Sequence, residues 1–167
     1  QAPWLVANFL PEGFPPEPAD APLAWDNVIA GSRGLGWVVS THQLIRAARP
    51  AHTVFTAYRA LADQTPQQAR AWLATAPAAD LLDLAAEELR QHYGPLELWR
   101  RTRAVEITLR GHGMAMPICG SLANPGLAAL READGRLLFA HSDLSGYSVF
   151  EEAAWWGDRA GRKALGS

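Results

Sequence analysis

The side chains able to do chemistry gather in the last third of the chain. His141, Ser142, Asp143 and Ser145 lie within five residues of one another, and these are the residue types of an acyl-transfer triad. A hydrolase is nevertheless not expected: no Gly-x-Ser-x-Gly elbow is present, and neighbours at the end of a strand point apart. Upstream, His112 stands between Gly111 and Gly113, with Met114 next but one. Bare glycine backbone lets a flat ring come close; the plainer role is a histidine that bonds a neighbouring carbonyl. His42 and His141 have no second ligand at metal-binding spacing with a carboxylate beside it, so no metal site is expected. Cys119 is the only cysteine, which excludes an internal disulfide and a cysteine-rich metal site. With no recognisable activating partner it reads as a small buried hydrophobe.

These residues need elements to position them. Residues 136–140, Arg-Leu-Leu-Phe-Ala, form an apolar run of strand length. A small polar turn follows, and Ser148 with Glu151 makes a capping box that starts a helix at Val149. Val149, Phe150, Ala153, Ala154, Gly157, Ala160, Gly161 and Ala164 recur at helical spacing, small enough for the helix to lie close on a sheet. Arg162 and Lys163 suit its negative end and Gly166 its stop. The expected product is strand, turn, helix, with the helix amides free to hold a phosphate, a carboxylate or the carbonyl of a flavin ring.

The wording of this unit is Leu138-Phe139-Ala140, a polar turn, Gly146-Tyr147, then Phe150-Glu151-x-Ala153-x3-Gly157-x-Arg159-Ala160. It resembles the last motif of the flavin-containing amine oxidases, which close their chains with an FAG[ED] strand end, a turn and a GYxEGAxxSGxRAA-like helix. His141-Ser142 stand where that family has Gly then Glu, Glu152 replaces a Gly, and the turn is longer. The resemblance implies that Ser142 or Asp143 bonds the ribityl or diphosphate part of FAD. It implies also that the backbone of Val149, Phe150 and Glu151 supports the pyrimidine end of the ring. By the same pattern His112, Met114 and Tyr147 line the substrate pocket beside the flavin face.

Extended over the chain as pattern, the resemblance implies a substrate-binding domain over 1–134 and a closing segment of the FAD-binding domain over 135–167. The activity implied is oxidation of an amine or related small molecule by hydride transfer to FAD, with catalytic residues unassigned. No Gly-x-Gly-x-x-Gly turn is present. Gly31-Ser32-Arg33-Gly34-Leu35-Gly36 has its glycines reversed and reads as a hairpin turn. The FAD-binding half of the same protein is therefore the expected partner, and the chain alone is expected to be inactive. The family's flavin-proximal lysine is expected before Gln1, because the only lysine is Lys163, read as capping the last helix. Two rivals remain: a non-catalytic partner-binding module, and part of a flavin-dependent desaturase or isomerase.

A formal charge of −2 over 167 residues gives no electrostatic case for nucleic acid. Arg100, Arg101 and Arg103 read as a solvated edge of one strand-like segment. No apolar run reaches the roughly 20 residues needed to span a bilayer. The chain opens on Gln1 in mid-pattern, which reads as a fragment or processed chain. A cytoplasmic setting is favoured, and self-association stays open. Of seven tryptophans, Trp25, Trp37, Trp72 and Trp99 are expected in a core or interface. Trp155 and Trp156 cannot both face one way, so one is free to cover a partner half.

Earlier in the chain the pattern predicts a strand over 4–10, a proline-rich loop over 13–22, a hairpin of 25–30 with 35–41, and a strand over 52–59. Thr65 with Gln68 is a second capping box, Pro66 suits the first helical position, and this helix should stop before Pro77. A second helix runs over 78–92, with Leu81, Leu82, Ala85, Leu89 and Tyr93 on its apolar face, and Gly94-Pro95 ends it. A strand over 98–109, an irregular stretch over 111–117 and a Gly/Pro/Asn linker complete the reading. The expected class is α+β: an antiparallel-rich mixed sheet with flanking helices, ending in a strand-turn-helix of a Rossmann-like FAD domain.

Overall fold

A computed structural model describes residues 1–17, 24–40 and 52–166. It is a mixed α/β structure with a five-stranded antiparallel sheet. The strands are β1 (Ala2–Pro11), β2 (Asp26–Asn27), β3 (Trp37–Val39), β4 (Phe55–Ala60) and β5 (Thr102–Met114), in the spatial order β2-β3-β4-β1-β5. The helices are α1 (Pro66–Leu73), α2 (Ala78–Tyr93), α3 (Pro95–Arg101), α4 (Pro125–Glu132) and α5 (Phe150–Leu165). The chain divides into two compact units, Pro3–Gly111 and His112–Ser167 with Gln1–Ala2. The sequence boundary at Gly135 falls inside the second.

In the first unit, alternation along the strands decides which face is buried. Leu5, Ala7 and Phe9 of β1 pair with Arg59, Ala57 and Phe55 of β4, and all six are buried. Trp37 and Val39 of β3 continue that face. Against it pack Ala85, Ala86 and Leu89 of α2 and Leu98 of α3. A smaller cluster of Leu61, Ala69 and Leu73 lies under α1. The hairpin of β2 and β3 and the whole antiparallel pattern before residue 60 agree with the sequence. So does α1, where Thr65 and Gln68 form the capping box from both sides. Helix α2 stops at Gly94, whose φ of +80° is a conformation glycine adopts without strain.

Five expectations are corrected. Residues 98–101 are helical, not extended: Pro95 opens α3 after Gly94, and Glu97 bonds both Arg100 and Arg101 one turn on. Arg100 and Arg101 are thus on a helix and only Arg103 is on a strand, paired with Glu12. The stretch after Gly111 does not break at once, for β5 continues to Met114. The supposed linker contains α4, whose start is fixed by Asn124: its side chain accepts from the Gly126 amide at 2.8 Å, with Pro125 at the first position. Cys119 is exposed, not a core residue. The predicted proline-rich loop falls partly, and His42 wholly, outside the described residues.

The closing strand-turn-helix is half present. Helix α5 stands where expected, but residues 136–140 have no strand partner among the described residues. The Ser148–Glu151 capping box does not form; the Ser148 hydroxyl instead accepts from the Ala115 amide at 3.0 Å, and Val149 is the N-cap. Lys163 reaches away from its own helix end and donates to the carbonyl of Ala133, the C-cap of α4, at 2.8 Å.

Candidate functional site

The second unit is held by polar bonds around the turn between residues 141 and 149. Residues 142–144 make a single 3₁₀ turn, and the Asp143 amide donates to Nδ1 of His141 at 3.1 Å. Gly146, at φ +78°, closes the next turn by donating to the Asp143 carbonyl. From behind, Arg131 of α4 donates to the Leu144 carbonyl at 2.6 Å. The indole of Trp156 donates to the Ser145 hydroxyl at 2.6 Å, and that hydroxyl bonds Glu152. This bracing fixes the turn without an extensive apolar core. Among the described residues of this unit, Ala2, Leu144 and Trp156 are the buried apolar ones.

In front of the turn lies a cleft of about 290 Å³, the lower end of the range that holds small ligands. Asp143, Gly146 and Tyr147 line it, together with the apolar side chains of Met116, Leu122 and Leu127. Among the described residues no lysine or arginine lines it. A flat, mostly apolar ring with a hydroxylated chain finds both apolar contact and a carboxylate acceptor there.

Next along the chain is the start of α5. Val149 supplies no side-chain cap, and no side chain among the described residues accepts from the amides of Phe150, Glu151 or Glu152. These donors lie uncapped at the positive end of a 16-residue helix. Glu151 and Glu152 in the same turn favour a neutral acceptor, such as a ring carbonyl, over a phosphate.

The expected site residues are brought together in part. Asp143 and Tyr147 share the cleft, and Val149, Phe150 and Glu151 are exposed at the helix start. Ser142 is buried. His112 and Met114 lie on β5, and neither lines the cleft. Met116, Leu122, Asn124 and Leu127 do line it; Met116 was hidden in the stretch read as irregular and the other three in the supposed linker, where the Asn124-Pro125 helix start was the signal for them. Among the described residues no three His, Cys, Asp or Glu side chains cluster as a metal site would require. No helix of these residues is long and apolar enough to cross a membrane.

The surface of this unit is as informative as its cleft. Of the exposed large apolar side chains among the described residues, six lie before residue 112 and eleven after it. They include Leu137 and Phe139 in the unpaired segment, and Val149, Phe150 and Trp155 at and along the start of α5. Along that helix a Cβ at Gly157 or Gly161 would meet open space, so the small face foreseen for sheet contact is uncovered. Compared with protein-family models and with curated proteins, the chain matches none.

Proposed function

We propose that this chain is the substrate-binding and flavin-closing part of an FAD-dependent oxidoreductase acting on an amine or related small molecule. The observation that carries the reading is the helix start. Uncapped amides at Phe150, Glu151 and Glu152 follow in the chain on a cleft lined by Asp143 and Tyr147, and the apolar side chains of Val149, Phe150 and Trp155 beside them are exposed. In this reading the amides hold a ring carbonyl and the Asp143 carboxylate accepts from ribityl hydroxyls. Tyr147 and Met116, which line the cleft, would keep water from the ring. The flavin, when bound, supplies the electron-accepting chemistry. The cationic grip on the diphosphate belongs to a second stretch of polypeptide that pairs with residues 136–140 as a strand, completes a Rossmann-like sheet and covers the small face of α5.

The experiment is reconstitution. The coding sequence before Gln1 is read for a strand followed by Gly-x-Gly-x-x-Gly, and that segment is co-expressed with this chain. A yellow complex whose flavin bleaches on adding an amine is the expected result. Absence of the turn, or a colourless complex, overturns the proposal. The uncovered apolar surface also favours a second reading, a non-catalytic module that docks on a separate protein; a stable complex without flavin would select it.

A further inference from the structure

We propose that β5 is a self-pairing edge, through which two copies of this chain join their sheets antiparallel about a two-fold axis at Thr108. In the spatial order of the sheet β5 is last, with β1 on one side only. It has 13 residues, against two for β2 at the other end. A long edge strand presents a row of unpaired amides and carbonyls, a template for another strand. Edge strands are commonly protected by charge. Here the charges are arranged to match themselves.

Glu106 and Arg110 are exposed, and neither has an ion-pair partner among the described residues. They lie four residues apart on an extended strand, so about 13 Å separates them and they cannot meet on their own chain. They share a face, because side chains alternate. Val105 and Ile107 point to the other face and pack on the core.

Directly opposed residues of an antiparallel pair sit with Cβ atoms about 5 Å apart. A two-fold at Thr108, the middle residue of β5, places Glu106 opposite Arg110 of the other copy, and Arg110 opposite its Glu106. Ile107 then faces Leu109 and Thr108 faces itself, both favourable cross-strand pairs. Because a two-fold keeps every side chain on its own face, the core face of one sheet continues into that of the other. Centring the axis on Glu106 or Arg110 would instead set like charges opposite each other. Arg103 is already paired with Glu12 and takes no part. The pairs that carry the inference, Glu106 to Arg110, lie in the first unit, and the inference is independent of the flavin reading.

The test is sedimentation of the chain over a dilution series from high micromolar. The expected result is a dimer. Glu106→Arg and Arg110→Glu should each weaken it at least tenfold, and the double variant should restore it, since the exchanged charges again match. A Thr108→Cys variant on a Cys119→Ser background should form a disulfide-linked dimer under mild oxidation, because only a pair at the axis brings equivalent residues together. A monomer at all concentrations overturns the proposal. So does a dimer that both single reversals leave unchanged, a double variant no tighter than the singles, or failure of the Thr108→Cys chains to cross-link.

Discussion

The indole nitrogen of Trp156 and the hydroxyl of Ser145 are 2.6 Å apart, a bond that ties the middle of the last helix to the turn before it. Trp156 is 5 % exposed, so its donor is largely shielded from water. Ser145→Ala leaves it unpaired and also frees Glu152. The expected loss is about 1–3 kcal/mol, the cost of a buried unsatisfied donor. It should appear as an earlier transition in near-ultraviolet circular dichroism, which reports the edge-on Trp155–Trp156 pair. An unchanged transition would mean that Arg131 and the turn's own backbone bonds hold it without the indole.

A second long-range bond joins α2 to the hairpin. The Gly36 amide donates to Glu88 Oε2 at 2.9 Å, across 52 residues, and Glu88 is buried. Glu88→Gln keeps an oxygen acceptor and removes a buried charge, so its cost should stay under about 1 kcal/mol. Glu88→Leu removes the acceptor and should cost about 1–3 kcal/mol. Gly36→Ala should be worse than either. At φ +82° its new Cβ would stand 1.8 Å from the Asn27 carbonyl oxygen, on the strand it must pair with. Urea unfolding of the three variants gives the ranking; Gly36→Ala as the mildest would show that the hairpin has another backbone path.

Glu88 also marks where sequence reading ends. Its place on the buried face was legible from Ala85 and Leu89, which flank it on the same stripe. Its partner was not, because the pairing of a hairpin amide with a helix carboxylate depends on how the two elements dock. The antiparallel strands were legible for the opposite reason: alternation in β1 and β4 is local, and Leu5, Ala7 and Phe9 can be buried on only one face. Local chemistry also misled. Ser148 and Glu151 have capping-box spacing, yet the Ala115 amide competes for the serine hydroxyl. Apolar content alone made residues 136–140 a strand, but a strand needs a neighbour, and the described residues offer none. In the candidate site, Asp143 and Tyr147 could be named because they lie in or beside one contiguous motif, the one that carries the resemblance. The lining from α4 could not, because Asn124-Pro125-Gly126 has the composition of a linker until the asparagine is seen to cap a helix.

Acid should loosen the α3 corner. Hydrogen bonds from Arg101 and then Arg100 hold the Glu97 carboxyl below its ordinary value. The folded state therefore binds this proton more weakly than the unfolded chain does. The stabilisation is present in full above the ordinary glutamate value of about 4.3 and is lost as pH falls through the lowered one. Arg103 does the same for Glu12, chiefly through its hydrogen bond. Glu97→Gln and Glu12→Gln should each flatten the fall in urea midpoint between neutral and acid pH. Equal slopes for wild type and the double variant would show that neither carboxylate is paired in solution.

The uncovered surface of the second unit makes a sharper demand. Leu137 is 76 % and Phe150 81 % exposed, so in this chain alone each side chain contributes little packing. Replacing both by serine should change stability by no more than about 0.5 kcal/mol, as for surface positions generally. It should also lower the binding of an apolar dye, because a contiguous exposed apolar patch is what such dyes report. In a reconstituted complex the same double variant should lose its partner and its flavin together, since both residues would lie under the covering polypeptide. The two measurements pull apart the possible causes. A large loss of stability in the isolated chain would place these side chains in its own core and remove the reason to expect a cover. Unchanged stability with unchanged assembly would put the docking surface elsewhere. Only a neutral effect alone and a severe one in the complex fits the proposed cover over the helix start and residues 136–140.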